Sequence, residues 1–245
     1  MKINKTIINL VLTLIITQGV IAQPSFQGFI DSGNQNLRNR NYKDAITDFS
    51  KAIKEQPTDT AALGGMIKAC LLNDDLKEAQ KYIDNAIKTY PQNAEFLLRR
   101  GILNNKKGQY DKAVEDFTDA LAMNSSSDIQ VQIYLNLGAS QLVLEEFDTA
   151  LENYNKALKL SPRNPSIFNY RGYANYKLNY FADAINDYNN AIDLDPNNAA
   201  SYYNRGMAYF KSSEKAKACV DFHKSCSLGN INACKMIMGE CTTTK

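Results

Sequence analysis

Residues 165–210 read PSIFNYRGYANYKLNYFADAINDYNNAIDLDPNNAASYYNRGMAYF. Within this stretch Tyr170-Arg171-Gly172-Tyr173-Ala174 is answered 34 residues later by Asn204-Arg205-Gly206-Met207-Ala208. Between them run Phe181, Ala184, Tyr188, Ala191 and Pro196. A fixed period of this length signals stacked supersecondary units. Working outward, one small residue recurs as Ala45, Ala79, Ala113, Ala150, Ala184 and Ala218, at spacings of 34, 34, 37, 34 and 34. A second recurs as Ala52, Ala86, Ala120, Ala157, Ala191 and then Ser225. Between each pair stands a bulky residue: Phe49, Ile83, Phe117, Tyr154, Tyr188 or Phe222.

Each recurring residue type has a physical role. Ala184, Tyr188 and Ala191 lie at i, i+4 and i+7, one stripe of a helix. Small residues let a neighbouring helix approach, and the large one fills the space beside it. Gly33, Gly101, Gly138, Gly172 and Gly206 fall inside helical patterns, where Gly costs roughly 1 kcal/mol against Ala; its recurrence predicts a tight helix contact. Pro57, Pro91, Pro162 and Pro196 close the units, because Pro cannot continue a helix. Tyr42, Leu76, Tyr110, Phe147 and Phe181 open the second helix of successive units.

These residues resemble the tetratricopeptide repeat (TPR) pattern. The resemblance covers roughly residues 26–230 as six units, 26–59, 60–93, 94–127, 131–164, 165–198 and 199–230. It implies an all-α superhelical solenoid of helix–turn–helix repeats. Unit two departs with Ile67 in place of Gly, and unit six loses the second Ala and the Pro. Unit three ends in Asn124-Ser125-Ser126-Ser127 and carries a three-residue insertion. The insertion is expected to widen the turn over 124–130, as a hinge or a plain surface loop. Asn124-Ser125-Ser126 also fits the N-glycosylation pattern.

The amino terminus reads differently. Lys2 and Lys5 precede the apolar run Ile7–Ile16, and Val20-Ile21-Ala22 follows, the pattern of a secretory signal peptide over 1–22. An uncleaved anchor is the alternative, though polar residues interrupt a run already short for a span. The chain carries 28 basic and 26 acidic side chains. Without Lys2 and Lys5 the counts are equal, and no run of five like charges occurs, which argues against nucleic acid as the main partner. The chain is expected to be exported, periplasmic or secreted, and not an integral membrane protein after signal removal.

Four of the five cysteines fall in the last segment: Cys219, Cys226, Cys234 and Cys241, spaced 7, 8 and 7. Residues 7 apart share one helix face, two turns apart. If two helices fold back about Gly229, Cys226 meets Cys234 near the turn and Cys219 meets Cys241 further out. Of the three possible connectivities this one fits best, since Cys219 and Cys226 are separated by about 10 Å along one helix. An oxidising compartment preserves such bonds. Residues 231–245 then form a helix from about Ile231 to Cys241, closing the stack, and a frayed tail. The Leu228-Gly229-Asn230 turn with Ala233-Cys234 also resembles that of secreted cysteine-rich helical repeats. A metal set of Cys219, His223 and Cys226 with Cys234 or Cys241 is the competing reading. Cys70 reads as a buried thiol.

No catalytic constellation is present: no Gly-rich phosphate loop, no His–Glu metal pair and no nucleophile elbow. Neither a cofactor nor a metal is expected. Asp183, Asp187, Asp193 and Asp195 read as solvated helix faces. The expected work is non-catalytic protein–protein interaction in an extracytoplasmic space; a structural subunit of an envelope assembly and a thiol or metal protein are the alternatives. The family resemblance implies a concave groove lined by the first helix of each unit. The matching positions are Ile30, Asn34 and Leu37; Leu98, Ile102 and Asn105; and Leu135, Ala139 and Leu142. In the last two units they are Asn169, Tyr173 and Tyr176, then Tyr203, Met207 and Phe210. These last two sets form the aromatic groove expected to bind a partner, unless segment 231–241 covers part of it. Ile30 stands where a carboxylate-clamp Lys would be, so a chaperone tail is not expected. Arg100, Arg171 and Arg205 share one position and either pair with acids of a neighbouring helix or contact acidic partners.

Overall fold

A computed structural model of the chain describes residues 25–241. The expected signal peptide and the tail beyond Cys241 lie outside the described residues. All regular structure among them is helical. The helices are α1 (Phe26–Arg38), α2 (Tyr42–Glu55), α3 (Thr60–Leu72), α4 (Leu76–Thr89), α5 (Ala94–Lys106), α6 (Tyr110–Leu121), α7 (Ser127–Val143), α8 (Phe147–Leu160), α9 (Pro165–Lys177), α10 (Phe181–Leu194), α11 (Ala199–Lys211), α12 (Lys215–Ser227) and α13 (Ile231–Met236). The chain divides after Asp74 into two compact units.

The two helices of a repeat begin by different means. First helices start at a side-chain cap: Asp59, Asn93, Ser126, Asn164 and Asn198 each accept a backbone N–H from the first turn of the helix they precede. Second helices, of which α4 alone also has a side-chain cap (Asp75 accepts from Glu78 N), instead follow a tight turn with one residue at positive φ. That residue is Arg40, Asp74, Gly108, Glu145, Asn179 or Ser213 in successive repeats. The following N–H then bonds back over the helix end, as in Glu146 N to Gln141 O (2.8 Å) and Tyr180 N to Asn175 O (2.9 Å). Gly229 uses the same device between α12 and α13, with Asn230 N bonding Ser225 O at 3.0 Å.

In the first unit the core is built on Ala45, Phe49 and Ala52, all fully buried. Gly33 and Gly65 lie against the Phe49 ring. In the second unit the same arrangement recurs. A Cβ placed on Gly138 would fall 2.7 Å from the Tyr154 ring, on Gly172 2.8 Å from Tyr188, and on Gly206 2.7 Å from Phe222. The inward glycine is therefore required by the ring that fills its space, which is the tight contact that the sequence predicts. Repeat two carries Ile67 and Ile83 at these positions, both fully buried.

One local expectation changes and another is refined. The insertion does not widen the turn over 124–130. Ser126 Oγ accepts from Ile129 N and Asp128 sits in the first turn, so α7 starts at Ser127 and runs 17 residues where α9 has 13. A serine cap followed by an acid nucleates helix, and the extra residues become helix. The last segment is helical from Ile231 to Cys241 as expected, but its winding changes: α13 ends at Met236 and residues Ile237–Cys241 continue as a π-helical turn.

Candidate functional site

The first helices of repeats four, five and six, α7, α9 and α11, enclose a groove of about 570 Å³. Ala139, Leu142 and Val143 line it from α7, Ser166, Asn169, Tyr170 and Tyr173 from α9, and Ala200 and Asn204 from α11, with Asn198 at the helix cap. Three large apolar side chains in it face solvent: Val143 is 55% exposed, Tyr170 45% and Tyr173 39%. Such exposure on one wall departs from the buried stripes of the same helices, and contiguous apolar exposure marks interaction surfaces. Tyr170 is held by stacking on the buried Tyr154 ring, with centroids 5.8 Å apart. Tyr173 stacks on Tyr176 at 6.4 Å, and Tyr176 in turn tilts against Phe181 at 5.8 Å. The groove aromatics are thus braced from behind, which lowers the entropy lost when a ligand docks. Asn169 Nδ2 donates to Ser201 Oγ at 2.5 Å, while its carbonyl oxygen has no donor in the protein.

Of the residues expected in the groove, Asn169 and Tyr173 line it, together with Ala139 and Leu142 of repeat four. Tyr176 lies behind them. Tyr203, Met207 and Phe210 lie elsewhere: they are half-buried against Ala218, Phe222 and Ala233, among Met236, Ile237 and Cys241 of the terminal segment. Leu98 is fully buried, Ile102 packs on the core, and Asn105 Oδ1 accepts from Ser140 Oγ at 2.8 Å. Ile30 is buried within the first unit. Sequence reasoning passed over Val143, Tyr170 and Asn204. A signal existed for Tyr170: Ser166, Tyr170 and Tyr173 fall at i, i+4 and i+7, on one stripe.

A second constellation recurs in repeats three, five and six. Arg171 Nη2 and Nε donate to Asp187 at 2.5 and 3.0 Å, its Nη1 donates to Asn155 at 2.8 Å, and Asn175 donates to Asp187 at 3.0 Å. Arg205 repeats this with Asp221 (2.7 and 2.8 Å) and Asn189 (2.6 Å). Arg100 and Asn104 do so on Asp116, at 2.5 and 2.8 Å. These arginines therefore pair with acids of the following helix. Asp187 is buried, contrary to the solvated face expected of it. Burial pushes its carboxyl above the usual carboxylate range, and the Arg171 and Asn175 hydrogen bonds pull against that shift. Hydrogen bonding to Asp116 and Asp221 raises the Arg100 and Arg205 guanidiniums above their ordinary value.

At the carboxy-terminal end Cys226 is bonded to Cys234 and Cys219 to Cys241, with Cα atoms 4.9 and 5.7 Å apart. The sulfurs a metal set would use are bonded to one another. No group of three or more His, Cys, Asp or Glu among the described residues is placed to hold a metal. His223 is exposed on α12. Cys70 is buried, with Sγ 3.8 Å from Met66 Sδ.

Comparison with known proteins fits this geometry. Sequence profiles described as TPR repeat match residues 144–179 and 176–213, and others described as tetratricopeptide repeat match 36–100 and 94–127. The chain belongs to the tetratricopeptide repeat family. Human tetratricopeptide repeat protein 6 is 29% identical over 134 residues, covering 55% of this chain and 25% of that protein. Small glutamine-rich tetratricopeptide repeat-containing protein 2 of Saccharomyces cerevisiae is 25% identical over 168 residues, covering 65% of this chain and 47% of that one. The chain spans less than half the length of these relatives. Among solved structures, PilF of Pseudomonas aeruginosa superposes with a TM-score of 0.75 at 18% identity, covering 88% of this chain and 97% of that one. YrrB, described as a TPR protein with an unusual peptide-binding site, gives 0.60 at 21% identity, covering 78% and 97%. At these identities the likeness is one of fold. No helix among the described residues is long and apolar enough to cross a membrane.

Proposed function

We propose that this TPR protein is a non-catalytic scaffold that holds a protein partner in the groove of α7, α9 and α11. The observation that carries the reading is the solvent exposure of Val143, Tyr170 and Tyr173 on one groove wall, braced by Tyr154 and Tyr176. Single exposed apolar residues are ordinary, but a contiguous exposed patch of this kind marks an interaction surface. Proteins of this family bind protein partners, and YrrB is described as having an unusual peptide-binding site.

The chain acts outside the cytoplasm in this reading. The signal-like pattern of residues 1–22 and the two disulfides of the terminal hairpin support it.

In-cell crosslinking and pull-down tests the groove, run beside a Val143→Asp/Tyr173→Ala double variant. The expected result is a specific set of captured proteins that the variant loses. Capture of the same proteins by both forms would overturn the groove as the site. Cell fractionation with amino-terminal sequencing tests export, with Gln23 expected as the first residue of the mature chain.

A further inference from the structure

Resting on that reading, we infer that the occupant is an uncharged internal peptide segment carrying bulky apolar side chains, and not a chain terminus or a charged motif. Ten residues line the groove, and none is Lys, Arg, Asp, Glu or His. Charged residues make up 22% of the chain, so a stretch of surface this size without one is distinctive. A ligand carboxylate or ammonium placed here would give up water and meet no opposite charge, which is a cost. A neutral segment does not incur that cost.

The polar lining consists of Ser166, Asn169, Asn198 and Asn204, beside the two tyrosines. Carboxamides both donate and accept, which matches the alternating N–H and C=O of a peptide backbone. The apolar lining, Leu142, Val143, Tyr170 and Tyr173, offers flat and aliphatic contact on the same face. A volume of about 570 Å³ suits a short segment of a few residues, within the size range of ordinary ligand pockets. Because no charge in the lining selects an end of the ligand, a free terminus gains nothing over a chain interior.

The test uses the full chain and two random twelve-residue peptide libraries. One is embedded in a loop, so neither end is free; the other ends in a free carboxylate. Each is selected on the wild type, on Tyr173→Ala and on Val143→Lys. Both replaced side chains are exposed, and circular-dichroism melts confirm that the variants stay folded. The expected result is enrichment from the embedded library of cores with aromatic or aliphatic residues and no charge. Tyr173→Ala should weaken binding of the enriched peptide about tenfold, and Val143→Lys should shift selection toward acidic cores. Enrichment only from the free-carboxylate library, or of charged cores on the wild type, overturns the inference; the groove survives as a peptide site if Tyr173→Ala still weakens those peptides. Enriched peptides that ignore both substitutions overturn the groove itself, and no enrichment from either library overturns both.

Discussion

Repeats four and five share one design and differ at its polar centre. In repeat five Arg171, Asp187 and Asn175 form a buried charged triad. At the same three positions repeat four has Leu137, Asn153 and Gln141, and Asn153 Nδ2 donates to Gln141 Oε1 at 2.7 Å. Base and acid are thus replaced together. A buried charge without its partner is costly, whereas removing both leaves a neutral site that amides can satisfy. The arginine is the member that depends on its partner: repeat one keeps the acid, Asp48, with Ser32 and Asn36 donating to it in place of an arginine.

The sharpest way to break this comparison is to remove half of the unit. Asp187→Ala leaves the Arg171 guanidinium partly buried without its acid and should destabilise the chain by about 3–5 kcal/mol in a denaturant titration. Transplanting repeat four whole, as Arg171→Leu with Asp187→Asn and Asn175→Gln, should recover most of that loss. If the transplant is as damaging as the single change, the two repeats are not equivalent at this point.

The second contrast is between hydroxyl and ring. Tyr154 and Tyr188 occupy the position that Phe49, Phe117 and Phe222 fill in repeats one, three and six, and neither phenol hydroxyl finds a hydrogen-bond partner. Burial accordingly pushes both phenols well above their ordinary range. Tyr154→Phe or Tyr188→Phe should stabilise the chain, by about 1 kcal/mol, because an unsatisfied buried hydroxyl is lost. A loss of stability instead would show that these hydroxyls are satisfied in solution.

A smaller effect is expected at the turns. Repeat four places Glu145 at φ 61° where repeat five has Asn179 at 64°. Asn tolerates this conformation better than Glu. Glu145→Gly should therefore raise stability by up to about 1 kcal/mol, while Asn179→Gly should be nearly neutral. Equal effects at the two sites would remove the distinction.

The last and gentlest test is pH. A carboxyl whose midpoint is raised by folding binds its proton more tightly in the folded chain than in the unfolded one. Its contribution to stability therefore grows as pH falls through that raised midpoint and is least above it. The stability of the wild type relative to the neutral transplant should be lowest near neutral pH and rise on acidification, with the Asp187 carboxyl resonance titrating above the usual carboxylate range. Asn153 in repeat four offers no counterpart.

The repeat frame was legible because a 34-residue period is carried by residues that set helix spacing directly. Second helices begin at Tyr42, Leu76, Tyr110, Phe147 and Phe181, the residues that the apolar pattern marks. The insertion was not legible, since Ser125-Ser126-Ser127 reads equally as loop or as cap, and only the helix that follows decides. Asp187 read as solvated because its burial depends on Arg171, sixteen residues away on another helix. The groove was half legible. Asn169 and Tyr173 follow from their helix position, but which aromatics face solvent depends on what covers them. Tyr203, Met207 and Phe210 carry the same pattern and lie against the terminal cluster.

That terminal segment has a consequence for how the chain comes apart. A stack in which each repeat touches only its neighbours unravels from its ends, since an end repeat has one interface to lose. Here α13, six residues long and too short to persist alone, is riveted to α12 through Cys234, and the π-helical turn beyond it through Cys241. The hairpin therefore resists fraying at that edge: under mechanical load or against an exopeptidase, the terminal segment cannot lift away from α12 until the two bonds are reduced.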